Sequence, residues 1–461
     1  MPPSQSFGET QPVASFDPSL STRQSHTSED ICAKFVTTTA DGRVETLTLT
    51  MGKPLTIGRN PALCSYVIPD IVVSSLHCKI HAVRSSTGGL IISCQDLSTN
   101  GLVLNGHKVR KTSAIVMHGD IMKIPASQTF QCVMKWKQLS QRIETASSQK
   151  QGYKVGSYVI TSHCLGSGSY ATVQLALDTS AHRQVACKII KRKDGSDLKK
   201  EMKEATLLMN LHHPNINRVY AVDSDPEFLY IMLQLSTGGD LFTYITNHSG
   251  HRLCEGEAKY IMYQLLKGIK YLHDRMISHR DLKPENILLF SPGPYPRIQI
   301  ADFGLARPKA YQETLQVCGT ISYLPPEGIL ALDNKHLGYV GMPADCWSAG
   351  VILGSHPFDF EGPSSRTTTT MSDLVDSQGF LQSQHSITQD EKIKRRIVDG
   401  QIYFCEPVWK PLSAAKLLVC HLLLPDPQKR ASVYAAFRSS WIISDIGELE
   451  DAYRERIRSA S

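Results

Sequence analysis

This chain of 461 residues lacks the marks of a membrane or secreted protein. No run approaches the roughly 20 apolar residues of a membrane span. Met1-Pro2-Pro3-Ser4-Gln5 carries no basic segment followed by an apolar stretch, so no secretory leader is read there. The 12 cysteines never form a Cys-x-x-Cys pair, which excludes the usual zinc-ribbon spacing and a dense disulfide framework. An excess of charge of one sign is also missing: a formal net charge of +6 is small for this length. Neither direct nucleic-acid binding nor membrane association is therefore expected, and no internal repeat is present. These absences lead to the expectation of a soluble intracellular protein with reduced thiols. Its length exceeds one ordinary core, so two or three domains are expected.

What is present divides the chain. Residues 1–29 are rich in Ser, Thr, Gln and Pro and poor in aliphatics, the composition of a disordered tail. Residues 30–137 change to short alternating or apolar runs, such as Val44-Glu45-Thr46-Leu47-Thr48-Leu49, separated by turn signals such as Asn60-Pro61, Asn100-Gly101 and Asn105-Gly106. That texture predicts an all-β sandwich. Residues 138–153 read as a linker. Beyond it, residues 154–443 are β-rich to about 235 and then helix-rich, and 444–461 read as a C-terminal tail.

The densest information lies between Ile277 and Gly304. Ser278-His279-Arg280-Asp281-Leu282-Lys283-Pro284-Glu285-Asn286 is followed by Ala301-Asp302-Phe303-Gly304. One aspartate can accept a hydroxyl proton, while an asparagine and a second aspartate can hold the magnesium ions of ATP. Upstream, Leu165-Gly166-Ser167-Gly168-Ser169-Tyr170-Ala171-Thr172-Val173 is a glycine loop that lets backbone amides approach phosphates. Val185-Ala186-Cys187-Lys188 follows, and Asp345-Cys346-Trp347 and Asp426-Pro427-Gln428-Lys429-Arg430 lie downstream.

This constellation resembles the protein kinases, and Lys283 before Pro284-Glu285-Asn286 resembles their serine/threonine branch. The resemblance implies a bilobal α+β fold over 154–443 that uses ATP and Mg²⁺ and acts on protein substrates. Asp281 is then expected to orient the substrate hydroxyl, Lys283 to neutralise the transferred group, and Asn286 and Asp302 to bind metal. Lys188 would hold the nucleotide phosphates, with Glu204 as its ion-pair partner and Glu201, one helical turn away, as the rival reading. Leu165, Gly166, Gly168, Val173, Ala186, Gln234, Leu235, Asp240 and Leu288 are expected to line the nucleotide site, with Leu233 guarding its back. Asp240 and Glu285 match positions that face an arginine three residues before the acceptor, which implies an Arg-x-x-Ser/Thr preference; the plain alternative is a ribose contact and a surface carboxylate. Thr314, Thr320 and Ser322 are candidate activation-segment phosphosites, and Thr320 also matches a threonine that contacts the catalytic loop. Glu327, in Pro325-Pro326-Glu327, is expected to form a structural ion pair with Arg430.

The N-terminal domain holds Gly58-Arg59, Ser74-Ser75-Leu76-His77 and Ser98-Thr99-Asn100-Gly101. These resemble the forkhead-associated domain, a sandwich whose loops bind phosphothreonine peptides. Arginine, serine and loop amides make a compact donor set for phosphate. On that pattern Arg59, Ser74 and Thr99 face the phosphate, Asn100 holds the peptide backbone, and His77 braces the loops. One such domain before a kinase is similar to the checkpoint kinase 2 family, including the fungal checkpoint and meiotic kinases. The resemblance implies a nuclear enzyme, present also in the cytoplasm, of the DNA damage or replication checkpoint or of meiosis. Phosphorylation at Thr10, in Thr10-Gln11, would let a second molecule's domain bind the tail and form a transient homodimer. The rival reading is a phosphothreonine-binding scaffold with a dead kinase.

Two departures stand out. Val351-Ile352-Leu353 runs directly into Gly354-Ser355-His356-Pro357-Phe358, about one helical turn or more short of the family's apolar helix. That shortening implies either a missing segment or a repacked, weaker lobe. Residues 361–390 read as a disordered insertion, and Lys392-Ile393-Lys394-Arg395-Arg396 reads as a nuclear import signal or a solvated helix face.

Overall fold

The structure is a computed structural model. It describes residues 31–39, 41–85, 89–134, 152–168, 171–192, 208–303, 307–308, 313–314, 319–334, 336–354, 389–400, 402, 404 and 409–459. The Thr10 site, Glu201, Glu204, the tip of the glycine loop at Ser169 and Tyr170, and most of the 361–390 insertion lie outside these residues.

Eleven strands form the N-terminal sandwich: β1 (Ile31–Thr38), β2 (Val44–Thr50), β3 (Leu55–Gly58), β4 (Tyr66–Val67), β5 (Cys78–Arg84), β6 (Leu90–Asp96), β7 (Leu102–Leu104), β8 (His107–Val109), β9 (Ser113–Ile115), β10 (Ile121–Lys123) and β11 (Thr129–Met134). One sheet runs β2-β1-β11-β10-β7-β8 and the other β4-β3-β5-β6-β9. Burial follows the two-residue period of a strand. In β11, Phe130, Cys132 and Met134 point inward while Thr129, Gln131 and Val133 point out. Phe35, Leu49, Ile57, Ile80, Met122 and Phe130 fill the space between the sheets.

The second domain begins with a six-stranded antiparallel sheet. Its strands are β12 (Tyr153–Val155), β13 (Tyr158–Ser167), β14 (Ala171–Asp178), β15 (Arg183–Lys191), β16 (Val219–Ser224) and β17 (Phe228–Gln234), in the order β12-β13-β14-β15-β17-β16. This is the small lobe. After β17 the chain crosses to a helical large lobe through α1 (Leu241–Thr246) and α2 (Glu255–His273). Helix α2 has Glu255 and Glu257 in its first turn and Lys270 and His273 in its last, matching the helix dipole, and its apolar face forms the centre of the lobe. Short strands β18 (Ile277–Ser278), β19 (Ile287–Leu289) and β20 (Ile298–Ile300) carry the segment rich in motifs across the top of this lobe. Then come β21 (Arg307–Pro308), β22 (Glu313–Thr314), α3 (Pro326–Asp333), β23 (Tyr339–Val340) and α4 (Gly341–Gly354).

The described residues of helix α4 run to Gly354, the point at which the sequence departs from the family pattern. It is buried along most of its 14 residues, with Trp347 fully enclosed. Helix α5 (Gln389–Val398) takes up the basic run; Ile393 and Ile397 are buried while Lys392 and Arg395 stay exposed. Helices α6 (Ser413–Leu422), α7 (Val433–Phe437) and α8 (Ser440–Ile443) complete the lobe.

The residues read from sequence as a tail include α9 (Ile446–Ser459), which docks on α2. Glu450 accepts from the Tyr263 hydroxyl and pairs with Lys267 at 3.2 Å. Tyr453 donates its hydroxyl to Asn215 Oδ1 at 2.9 Å, and Arg456 donates to the Pro294 carbonyl at 3.1 Å. Among the described residues no helix is long and apolar enough to cross a membrane.

Candidate active site

The segment from Ser278 to Asn286 is fixed by a buried carboxylate beneath it. Asp345, on α4, accepts from the His279 backbone N–H at 2.9 Å, from the Arg280 N–H at 2.8 Å, and contacts His273 Nε2 at 3.0 Å. Arg280 is held at a positive φ of 70°, a backbone state that side chains other than glycine rarely adopt. His279, also buried, accepts the Asp281 N–H on Nδ1 at 3.3 Å, so its Nε2 carries the proton and donates to the Ala301 carbonyl at 2.9 Å. One imidazole thereby joins the Asp281 loop to the strand end leading into Asp302.

Above this base the polar groups converge. Asp281 Oδ2 accepts from Asn286 Nδ2 at 3.0 Å and pairs with Lys283 Nζ at 3.1 Å. Its Oδ1 accepts from both the backbone N–H and the hydroxyl of Thr320, each at 3.1 Å. Lys283 Nζ also donates to Thr320 Oγ1 at 2.9 Å. Asn286 donates further to the Asp281 carbonyl at 2.8 Å, which fixes its amide orientation. Lys188, from β15, forms an ion pair with Asp302. Asp302 is another residue at positive φ, here 60°. Sequence reasoning singled out all six residues, and the fold gathers them from four places in the chain: Lys188, the Asp281–Asn286 loop, Asp302 and Thr320. Beside Lys188, burial pushes the Cys187 thiol up to about 12 and so keeps it protonated.

The small-lobe wall facing this cluster contains Leu165, Val173, Ala186, Leu233 and Leu235 in one apolar group, and Leu288 lies half-buried on β19. The Gly168 N–H closes the described part of the glycine hairpin on the Ala171 carbonyl at 2.9 Å, and Gly166 lies in the preceding strand. The Gln234 N–H donates to the Arg218 carbonyl at 2.8 Å, and its carbonyl accepts from Asn217 at 3.0 Å. Asp240 is buried, and its carboxylate caps α1 by accepting from the Thr243 N–H at 2.8 Å and hydroxyl at 3.0 Å. Glu285 sits elsewhere: its Oε2 is buried and, among the described residues, has no hydrogen-bond partner.

Residues 159–442, more than half of the chain, match the protein kinase domain family. The chain belongs to the protein kinase family. Residues 55–125 match the FHA domain. At 29% identity over 443 residues the chain resembles the meiosis-specific serine/threonine-protein kinase mek1 of Schizosaccharomyces pombe, with 94% of this chain and 91% of that protein covered. The meiosis-specific serine/threonine-protein kinase MEK1 of Saccharomyces cerevisiae is 29% identical over 454 residues, covering 90% and 85%. The DNA damage response protein kinase DUN1 of the same yeast is 28% identical over 491, covering 90% and 88%. The chain is thus a serine/threonine protein kinase with an FHA domain, which binds phosphothreonine peptides.

The kinase's lower support is the expected ion pair. Arg430 grips Glu327 with two parallel bonds, Nη1 to Oε1 at 2.7 Å and Nη2 to Oε2 at 2.8 Å, and donates to the carbonyls of Leu424, Pro425 and Pro343. With its charge and donors satisfied, this buried arginine anchors α3 to the segment after α6.

The FHA-domain loops expected from sequence to hold a phosphopeptide also meet. Exposed Arg59 donates Nε to the Val73 carbonyl at 3.3 Å, Ser74 Oγ accepts from the Thr99 N–H at 3.1 Å, and Asn100 donates to the Val72 carbonyl at 3.3 Å. A Cβ on Gly58 would lie 2.5 Å from the Ser75 carbonyl oxygen, so only glycine lets these loops come so close. His77 is buried beneath them. It accepts the Ser74 N–H on Nδ1 at 3.3 Å and donates Nε2–H to the Gly101 carbonyl at 3.3 Å, and burial holds its imidazole below the ordinary range. Sequence reasoning missed Asp96, whose Oδ1 accepts from Ser98 Oγ at 2.7 Å while Oδ2 accepts from the Lys111 N–H at 2.7 Å; the only trace is an Asp two residues before Ser98.

Proposed function

We propose that this kinase transfers the γ-phosphate of Mg-ATP to serine or threonine in Arg-x-x-Ser/Thr contexts, in checkpoint signalling of the DNA damage or meiotic type. The observation that carries its catalytic competence is the Asp281–Lys283–Asn286–Thr320 cluster, complete and mutually bonded. Asp281 is placed to accept a hydrogen bond from the substrate hydroxyl and orient it. Lys283, one bond away, balances negative charge where the phosphoryl group passes. Asn286 and Asp302 supply an amide and a carboxylate oxygen, the hard donors that suit Mg²⁺. When bound, the cation neutralises phosphate charge; the protein's share is positioning and electrostatics.

The basic-residue preference rests on Glu285. A buried carboxylate oxygen with no partner among the described residues is costly, and a guanidinium supplied by substrate would satisfy it. Asp240, turned toward Thr243, plays the lesser part. The checkpoint assignment rests on the relatives, two of which are named for meiosis and one for the DNA damage response. Recruitment through phosphothreonine, a transient homodimer through phosphorylated Thr10, phosphorylation at Thr314 or Thr320, and nuclear localisation belong to the same reading. The test is phosphate transfer by purified full-length protein to paired peptides with Arg or Ala three residues before the acceptor. Transfer should favour the Arg peptide, lose that preference in Glu285→Ala, and vanish in Asp302→Ala. Equal use of both peptides by the parent protein defeats the specificity, and a folded, phosphorylated, inactive parent establishes the scaffold reading.

A further inference from the structure

The FHA domain touches the kinase domain through a face its phosphopeptide site does not use. Strand β9 is an edge of its sheet, and Ile115 at its end pairs with Ser93 of β6 on one side. On the other side its backbone meets Gln184 of the kinase small lobe: the Ile115 N–H donates to Gln184 Oε1 at 2.7 Å, and Gln184 Nε2 donates to the Ile115 carbonyl at 2.9 Å. One carboxamide thus extends the sheet edge as a neighbouring strand would. Beside it, Ser93 Oγ donates to Thr237 Oγ1 at 2.9 Å, with both residues buried. Gly239 is approached so closely that a Cβ there would lie 3.0 Å from Val83 Cγ1. Ile91 and Ile115 belong to the apolar group that includes Leu175, Ala186 and Leu235, and not to the FHA core.

These contacts straddle the joint between the lobes. Gln184 and Leu175 are part of the small-lobe sheet, whereas the backbone at Thr237 and Gly238 is bonded to the large-lobe carbonyls of Phe290 and Leu289, at 3.1 and 2.9 Å. Ala186 and Leu235 also line the nucleotide wall. Loosening this interface would loosen the wall and the joint about which kinase lobes move. The phosphopeptide loops sit at the other end of β5, about 20 Å away for a seven-residue strand. A bound phosphopeptide and the docked state are therefore compatible.

We propose that the β5–β6–β9 face of the FHA domain is a second binding surface, whose partner is the interlobe hinge of the kinase domain in the same chain, and that docking there tightens nucleotide binding. The proposal rests on the kinase reading for its partner but is tested without turnover.

In full-length Ser93→Cys/Thr237→Cys, mild oxidation should give an intrachain disulfide, seen by peptide mapping in a species of monomer mass. Adding Ile91→Lys should abolish it. Ile91→Lys alone should weaken ATP binding, read by calorimetry, by about fivefold or more, while phosphothreonine-peptide affinity stays at the parent value and shows the FHA domain folded. Gln184→Ala should weaken ATP binding in the same direction by less. A disulfide that links two chains, or none at all, overturns the proposal. So does an unchanged or tighter ATP affinity in an Ile91→Lys protein that still binds its peptide. Failure of phosphate transfer by the parent protein would instead strike the proposed function and leave these readouts standing.

Discussion

Two loop clusters, one in each domain, stand on the same support. Beneath the phosphopeptide loops lies His77, and beneath the catalytic loop lies His279. Each is buried, accepts a backbone N–H on Nδ1, and donates Nε2–H to a carbonyl of a second loop. The difference lies in what else holds the loop. Around Asp281 the charges are already paired: Asp345 anchors the backbone below, and Lys283, Asn286 and Thr320 fix the carboxylate above. Around the FHA loops the bonds are mostly neutral, and Arg59 is exposed. A site that must orient a reacting group needs its geometry set before substrate arrives. A site that only captures a phosphate can keep its cation in solvent until the ligand brings the countercharge.

The comparison breaks most visibly at Asp281. Asp281→Asn should cut phosphate transfer by about 10²–10⁴-fold and leave phosphothreonine-peptide affinity untouched; equal losses in both assays would mean that the two sites are not independent. Next in size is Asp345→Ala, which strands the buried N–H groups of His279 and Arg280. Chemical denaturation of the full chain should show the kinase transition weakened by about 3 kcal/mol or more, at roughly 1–3 kcal/mol for each stranded group, with the FHA transition unmoved. His77→Ala should do the converse, weakening phosphopeptide binding by about tenfold, near 1.4 kcal/mol, with kcat on a peptide substrate unchanged.

One further effect is shared by the two domains. Burial pulls His81 in the FHA domain and His213 in the kinase domain down to about 4. Both are therefore neutral in the folded state and gain protons on unfolding below the ordinary histidine value of 6.5. Stability is whole above that value and falls as pH drops toward about 4. Thermal melts taken down this range should show both transitions descending, and His81→Leu should flatten only the FHA one.

The sequence made the chemistry legible because phosphoryl transfer needs particular groups at short spacings. Asp281, Lys283 and Asn286 fall within six residues, and Gly58 and Asn100-Gly101 mark a close approach and a turn that leave little choice of residue. The two-domain architecture was legible from the change in periodicity after the linker. What escaped depends on partners far apart in the chain. Nothing around Asp345 says that it holds a loop 65 residues earlier, and nothing around Gln184 says that its amide completes a sheet 69 residues away. The 444–461 segment read as a tail because α9 has few apolar positions, and it is instead held in part by Glu450 and Tyr453, whose partners cannot be inferred locally.

Helix α9 has a consequence for how the molecule is made. Tyr453 reaches back 238 residues to Asn215, whose amide is meanwhile bonded to Gln264 and the Ile298 carbonyl. On the ribosome, the FHA domain and the small lobe emerge and fold first, domain by domain. The α2 surface around Tyr263 and Asn215 waits uncovered until α9 has been synthesised. A released chain lacking residues from 446 onward would thus present an unfinished polar seam on its large lobe. Quality control would meet this kinase at that seam.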